Sequence, residues 1–331
     1  MPANLTPQYH KAEEEYRRAA TPEDELRCLQ VMLREMPKHK GTDKLNAELR
    51  QKISKVKKEL DQQKQRGGAR GAGHRIPRQG AGRGVLIGGP NAGKSQLLRS
   101  LTRATPEVAP YPFTTHQPCP GMMPWEDVMV QLIDTPPITA DVLDPITQGL
   151  VRGADLVLLL VDLGSDNGID QVQDVVQKLG STKTRLSCTS YLDDEDLGVS
   201  YTRTFLVPNK IDLPEAADRR QLLHEFCDFD FPEYLISAEH GRGLEELRHA
   251  IYVALDVVRV YTKLPTRKEP DMDKPFTIRR GGTLQEIAEQ VHKDFSQGLK
   301  FARVWGSQVH DGTTVKGDYV LQDKDIVELH A

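Results

Sequence analysis

The sequence predicts an α/β protein: a mostly parallel sheet covered by helices on both faces, preceded by a helical hairpin and followed by a small α+β domain. Three observations carry that prediction. Apolar runs at 85–87, 129–133, 156–161, 204–207 and 233–236 alternate with helical patterns at 94–103, 169–179, 215–226 and 244–255, and such alternation makes parallel strands joined by crossover helices. Ahead of them apolar residues recur only at helical spacing. After Pro275 the pattern changes to short strands around one helix.

The 331 residues accommodate two domains and a small third. The apolar set is 38%, and 26 glycines bring it to the roughly 46% of an ordinary globular chain, which excludes a disordered or fibrous one. Net charge is −4, from 44 basic and 48 acidic residues, but the sum hides an imbalance. From residue 36 to 84 there are 14 Lys/Arg against 4 Asp/Glu, so this segment carries +10 and the rest −14. One segment, not the whole chain, is suited to polyanions. Cys28, Cys119, Cys188 and Cys227 form no CxxC pair and match neither a disulfide framework nor a zinc site, which points to a reducing compartment. The N-terminus has no apolar signal core, and the run at 156–161 is far short of the ~20 residues of a membrane span. The expectation is a cytoplasmic protein without a membrane partner.

Each element has a local cause. Thr6-Pro7 and Thr21-Pro22 place a capping hydroxyl before a proline at the first helical position. Leu26, Leu29, Leu33 and Met36 then form one stripe, and Pro37 ends it. Thr42 caps a longer helix striped by Leu45, Leu49, Ile53, Val56 and Leu60. The short turn between them predicts an antiparallel basic hairpin over 1–66. Its polar face carries Lys44, Arg50, Lys52, Lys55, Lys57, Lys58 and Lys64, either a solvated face or a contact for structured RNA or the ribosome; nothing in it reads DNA sequence. Residues 67–82, with Arg70, Arg75 and Arg78 among glycines, read as a mobile linker. The α/β domain is expected over 83–258 and the α+β domain over 259–331. In the latter, a strand at 275–280 precedes a capping box Thr283-Leu284-Gln285-Glu286, a helix to Val291, and strands at 301–305 and 326–330.

The chemistry starts at Gly88-Gly89-Pro90-Asn91-Ala92-Gly93-Lys94-Ser95, a G-x-x-x-x-G-K-[ST] phosphate loop directly after a strand and opening a helix. Its backbone N–H groups, with Gly88, Pro90, Asn91, Ala92 and Gly93 in the loop and Gln96 just beyond, would wrap phosphates. Lys94 would reach the β and γ oxygens and Ser95 would bind Mg²⁺. Downstream, Asn209-Lys210-Ile211-Asp212 and then Ser237-Ala238 each follow an apolar strand, in the order of the two guanine-recognition elements of GTPases. The Asp212 carboxylate can accept from both N1–H and the 2-amino group of guanine, a donor pair adenine lacks. Asp134-Thr135-Pro136-Pro137 holds the place of a D-x-x-G element, with Asp134 contributing to the magnesium site through water.

On GGPNAGKS, Tyr111-Pro112-Phe113-Thr114-Thr115, NKID, SAEHGRGL, Lys300-Phe301-Ala302-Arg303-Val304-Trp305-Gly306-Ser307 and LQDKDIVELH, the chain resembles the Obg-related and developmentally regulated GTP-binding proteins that end in a TGS domain. The resemblance covers nearly the whole chain. It implies a P-loop GTPase domain, a β-grasp-like TGS domain, GTP and GDP as ligands, and a translation or ribosome connection. The TGS sheet could offer a face to RNA or to protein, and the acidic cluster of Asp323, Asp325 and Glu328 weighs against phosphate contact and toward a protein partner. The resemblance also implies that Thr114 and Thr115 form the switch I contact, Thr115 binding Mg²⁺ and the γ-phosphate, and that Asn91 helps hold K⁺ at the phosphates. Read from the residues alone, Asn91 is a turn residue.

The departures matter as much. Gly89 replaces an aromatic, Gln96 a threonine, and Pro137 a glycine whose N–H would meet the γ-phosphate; proline has none to give. The glycine-rich segment after Ile138 is missing, and 180–204 is too short for the extra domain of some relatives. Ile138 stands where a water-orienting glutamine is usual, so Lys94, Thr115 and Asn91 are the catalytic candidates and turnover is expected near the slow intrinsic scale of ~10⁻⁴ to 10⁻³ s⁻¹. Two readings follow: a slow GTPase switch, or a nucleotide-binding scaffold with a degenerate switch II.

Overall fold

The computed structural model describes residues 5–19, 22–37, 42–65, 76–102, 117–193, 199–266, 269–291 and 298–330. Thr114, Thr115, and Arg70 and Arg75 of the linker lie outside the described residues.

The N-terminal unit holds three helices: α1 (Pro7–Arg18), α2 (Pro22–Glu35) and α3 (Asp43–Gln65). The expected hairpin corresponds to α2 and α3, and the helix start predicted at Thr6-Pro7 is that of α1. Thr6 caps α1, its hydroxyl accepting from Tyr9 N–H at 3.1 Å. Tyr9 and Ala12 of α1 then pack with Leu29, Met32, Leu45, Leu49, Val56 and Leu60 in one core. Leu26 and Leu33, expected in the α2 stripe, are only half-buried, because Cys28 and Met32 take the inward positions.

The central domain runs β1 (Arg83–Gly88), α4 (Lys94–Leu101), β2 (Cys119–Trp125), β3 (Val128–Asp134), α5 (Pro145–Arg152), β4 (Leu156–Asp162), α6 (Gly168–Gly180), β5 (Thr184–Ser187), β6 (Tyr191–Leu192), β7 (Ser200–Asn209), α7 (Ala216–Phe226) and α8 (Leu244–Leu255). Its sheet has the order β2-β3-β1-β4-β7-β5, with β6 also on β7. The β1–β3, β1–β4, β4–β7 and β5–β7 pairs are parallel, and β2–β3 is antiparallel. Alternation explains the two covered faces. Leu86, Leu158 and Leu160 point to a core shared with α4 and α8. Val85, Ile87, Val157, Leu159 and Val161 point to the opposite core, built with α5, α6 and α7. Strands buried on both sides are therefore apolar at every position.

The expected strand at 233–236 is corrected. Leu206 N–H donates to Pro232 O, Tyr234 N–H to Leu206 O and Ile236 N–H to Pro208 O, but the segment forms a single parallel bridge, Leu206 to Glu233, and no regular strand.

The C-terminal sheet, order β11-β10-β12-β8-β9, is built from β8 (Val257–Thr262), β9 (Asp271–Arg279), β10 (Phe301–Gly306), β11 (Val309–Val315) and β12 (Asp325–His330), with α9 (Leu284–Val291) on its apolar face. β8 straddles the expected boundary between 258 and 259. Arg259 on it is buried; its guanidinium binds Asp323 at 2.7 Å, and it also bonds Glu126 and Asp127 at the β2–β3 turn. That cation ties the C-terminal sheet to the central one. Asp323, Asp325 and Glu328, which the sequence presents as an acidic cluster unfavourable to phosphate, do not form a free acidic surface. Asp323 is engaged by Arg259, Glu328 is buried beside Lys263 and His330, and Asp325 is buried. The N-terminal unit is docked in turn: Arg17 donates to Tyr201 O at 2.9 Å, and Glu14 meets Arg279 at 2.8 Å.

Candidate guanine-nucleotide site

The site lies at the carboxyl ends of β1, β3, β4 and β7, where a parallel sheet leaves its ligand crevice. β1 ends at Gly88, and the loop turns into α4 through Asn91 (φ 60°) and Gly93 (φ 94°), both left-handed. Gly93 is required twice over. Its φ disfavours a side chain, and a Cβ there would stand 2.2 Å from Asn209 Nδ2. Lys94 curls back into the loop, donating to Gly88 O at 3.1 Å and Gly89 O at 2.8 Å. Burial lowers its pKa to about 8, with the Asp134 carboxylate pulling the other way.

This sets a pH dependence. Phosphates favour the ammonium form, so above about pH 8 nucleotide binding must take up a proton, and affinity should fall by up to about tenfold per pH unit. Folding stability moves oppositely. The folded pKa lies below the ordinary 10.5, so the cost of burying the cation fades as pH rises from about 8. Calorimetric GDP titrations at about pH 9, in two buffers of different ionisation enthalpy, should register proton uptake. Constant affinity from about pH 7.5 to 9.5 would remove this role for burial.

Asn209 is the joint of the site. Its Nδ2 donates to Ala92 O at 3.0 Å, while its Oδ1 accepts from Lys210 N–H at 2.8 Å and Ala238 N–H at 3.0 Å. One buried amide thus holds the phosphate loop, the 209–212 turn and the 237–238 turn together. Ser100 of α4 adds a bond to Ala238 O at 2.7 Å. Lys210, left-handed at φ 67°, pairs with Asp162 Oδ2 at 2.7 Å. Asp212 stands beside His240, Oδ2 to Nδ1 3.4 Å. The Ser237 hydroxyl bond, with smaller help from His240 and Arg242, holds its carboxyl below the usual range. The anionic acceptor that guanine requires is therefore kept charged.

At the phosphate end, the Ser95 hydroxyl donates to Asp134 Oδ2, and Asp134 Oδ1 is buried with no hydrogen-bond partner among the described residues. Burial raises the Asp134 carboxyl, opposed by the Ser95 bond and the Lys94 charge. A hydroxyl and a carboxylate with an unsatisfied buried oxygen fit a hydrated divalent cation. Thr135 Oγ1 donates to Leu86 O at 2.7 Å, and Ile138 N–H donates to Gly88 O at 3.2 Å. The chain after β3 is thus fastened to the end of β1 on both sides of the exposed Pro137. Asn91, Ser95 and Gln96 are exposed and Pro90 is half-buried.

Three residues escaped the sequence. Asp162 ends an apolar strand, a placement that could have marked it; His240 lies within SAEHGRGL without a sign of its partner. Gln171 of α6 had none. A Cβ on Gly89 would meet Gln171 Oε1 at 2.6 Å, so the glutamine fills the space beside the loop.

Comparison with known proteins agrees with this geometry. The 50S ribosome-binding GTPase family matches residues 83–190, and the TGS domain matches 258–331. An uncharacterized GTP-binding protein of Methanocaldococcus jannaschii is 28% identical over 367 positions, covering 93% of this chain and 92% of that protein. Developmentally-regulated G-protein 2 of Arabidopsis thaliana is 26% identical over 368 positions, covering 92% and 90%. The chain thus joins a segment matching a GTPase family to a C-terminal TGS domain, and over nearly its whole length it is similar to DRG-like GTP-binding proteins. The GTPase match supports GTP and GDP as ligands. The structure of the Schizosaccharomyces pombe YchF GTPase is alike in fold, with a TM-score of 0.50 at 13% identity over 77% of this chain and 99% of that one. The archaeal alignment runs to 367 positions while the 93% of this chain it covers is about 308 residues, so that relative carries about 59 positions of insertion that this chain lacks. No described helix is long and apolar enough to cross a membrane.

Proposed function

We propose that this protein is a cytoplasmic GTP-binding switch that hydrolyses GTP slowly and works in translation or on the ribosome. In this reading 1–66 is a basic RNA- or ribosome-binding unit, 67–82 a linker, 83–258 the GTPase domain and 259–331 a TGS domain that meets a protein partner. The observation that carries it is the Asn209 joint, which sets Asp212 and Ala238 at one end of the crevice and Lys94 at the other.

Gly88, Pro90, Asn91, Ala92, Gly93, Lys94, Ser95 and Gln96 bind the phosphates, and Thr114 and Thr115 supply the switch I contact to nucleotide. Asn209, Lys210, Asp212, Ser237 and Ala238 bind the base. Ser95, Thr115 and Asp134, the last through water, would hold Mg²⁺, which would supply charge neutralisation at the phosphate oxygens. Lys94 brings its own charge to the same oxygens, so the protein's contribution is positioning and electrostatics. A second reading, a scaffold without useful hydrolysis, has one observation in its favour: Pro137 has no N–H, and the next N–H, of Ile138, is bonded to Gly88 O.

Turnover of GTP and of ATP by the purified protein with Mg²⁺, in KCl and in NaCl at equal ionic strength, tests the first reading. GTP should turn over at ~10⁻⁴ to 10⁻³ s⁻¹ before any cation effect, and ATP should not. If Asn91 helps hold K⁺, the rate should rise several-fold in KCl, and Asn91→Ala should abolish the difference. A rate indifferent to the cation leaves Asn91 as a turn residue at φ 60°. Absence of hydrolysis in either salt favours the scaffold.

A further inference from the structure

A cleft of about 690 Å³ runs between the N-terminal helices and the GTPase domain. Its described lining brings together Arg17 of α1, Lys52 and Lys55 of α3, Arg152 at the end of α5 and Lys183 just after α6, against one carboxylate, Glu25. The wall is firm, since Arg17 is bonded to Tyr201 O and Ser200 Oγ of β7. The floor is open: a Cβ on Gly149 would meet nothing within 4 Å. Five cationic side chains from two structural units thus converge on a space that neither unit forms alone.

The cleft does not end at its own walls. Lys55 is one of five exposed cations on α3, with Lys44, Arg50, Lys57 and Lys58; at 3.6 residues per turn Lys44, Lys55 and Lys58 share one side of the helix, a stripe of about 21 Å at ~1.5 Å per residue, while Arg50 and Lys57 turn away from it. A small anion is much shorter than that stripe, so its length fits a chain-like polyanion. The exposed large apolar residues of the described protein include none on α3. A protein partner would need an apolar or aromatic centre to its interface, whereas a phosphate backbone is held by charge alone.

We propose that this seam is a phosphate-backbone site for structured RNA, gripped jointly by α3 and the GTPase domain through Lys55 and Lys183. The proposal rests on the reading of the basic N-terminal unit as RNA-binding and adds where the RNA lies and which GTPase-domain residue holds it. It also places RNA against Gly149 and Arg152 in the last turn of α5, so the bound strand meets the GTPase domain and not only an appendage.

The test is anisotropy of a fluorescein-labelled RNA stem-loop with the full-length protein across a KCl series. GDP binding serves as the folding control for each variant. Lys55→Gln/Lys183→Gln should weaken RNA binding by about tenfold or more and lower the salt slope by about 2. Arg50→Gln/Lys57→Gln, on the side of α3 turned away from Lys55, should cost less. The reverse ranking, with the cleft pair behaving as wild type, overturns the seam while leaving an RNA-binding helix face. Wild-type protein that binds no RNA overturns both. Tripolyphosphate bound as tightly as RNA would reassign the cleft to a small polyphosphate, and equal displacement by polyglutamate would reassign it to an acidic protein; either overturns the proposal.

Discussion

Asp212→Asn should remove most of the preference for guanine nucleotides, which in the wild-type protein is expected to exceed tenfold over ATP and to approach ~10⁴-fold. The magnitude follows from the kind of site. A pocket built to pair with a ligand's polar hydrogens rejects an analogue lacking them strongly, because its own polar groups are then left unpaired. Asp212 is held by the Ser237 hydroxyl and stands 3.4 Å from His240, so the carboxylate is aimed and charged before the base arrives. Its depressed pKa means the preference persists into mildly acidic buffer. An amide at 212 keeps the shape but offers one acceptor and one donor, which suits xanthine, whose 2-position carries an oxygen. GDP should therefore weaken while XDP gains. Fluorescent-nucleotide competition with GDP, XDP and ADP measures all three. Equal wild-type affinity for ATP and GTP would remove the guanine reading altogether.

Much of this was legible in the residues, and the reasons are local. Strands β1 and β4 are buried on both faces and so read as unbroken apolar runs. β2 did not, because CPGMMPW holds two prolines and a glycine; it lies at a sheet edge, where a missing ladder N–H is tolerated. β11 is an edge strand too, and its Asp-Gly pair reads as a turn. The segment at 233–236 erred the other way. It alternates like a strand and bonds to β7, yet runs beside it for too few residues to make a ladder. The phosphate loop and the 209–212 turn were visible as motifs, but the work of Asn209 was not. Its partners Ala92 and Ala238 use backbone atoms, which carry no residue signature. Arg259 shows the same limit at domain scale. Its acids stand 64 residues ahead in the chain and more than 130 behind, so only folding brings them together.

Pro137→Gly should raise the preference for a GTP analogue over GDP by about tenfold to a hundredfold, the range expected of one hydrogen bond to a charged group. In the wild-type chain the residue following Pro136 cannot donate to a γ-phosphate, and the next N–H, of Ile138, is bonded to Gly88 O at 3.2 Å. Ile138 is also buried in the core beneath, and Thr135 is fastened to Leu86 O at 2.7 Å. The segment is therefore held at both ends whether or not a third phosphate is present. A ligand shifts an equilibrium only through contacts that differ between the two states, and here the differing contact is missing. Glycine at 137 returns the donor without disturbing either anchor, so its gain should appear in affinity for the analogue and leave GDP nearly unchanged. Hydrogen exchange over residues 134 to 150 gives the direct comparison. The wild-type protein should show the same protection with GDP and with the analogue, and the glycine variant should gain protection with the analogue alone. Strong nucleotide-dependent protection in the wild type would mean that Ile138 N–H leaves Gly88 O for the phosphate, and the decoupling argument would fall.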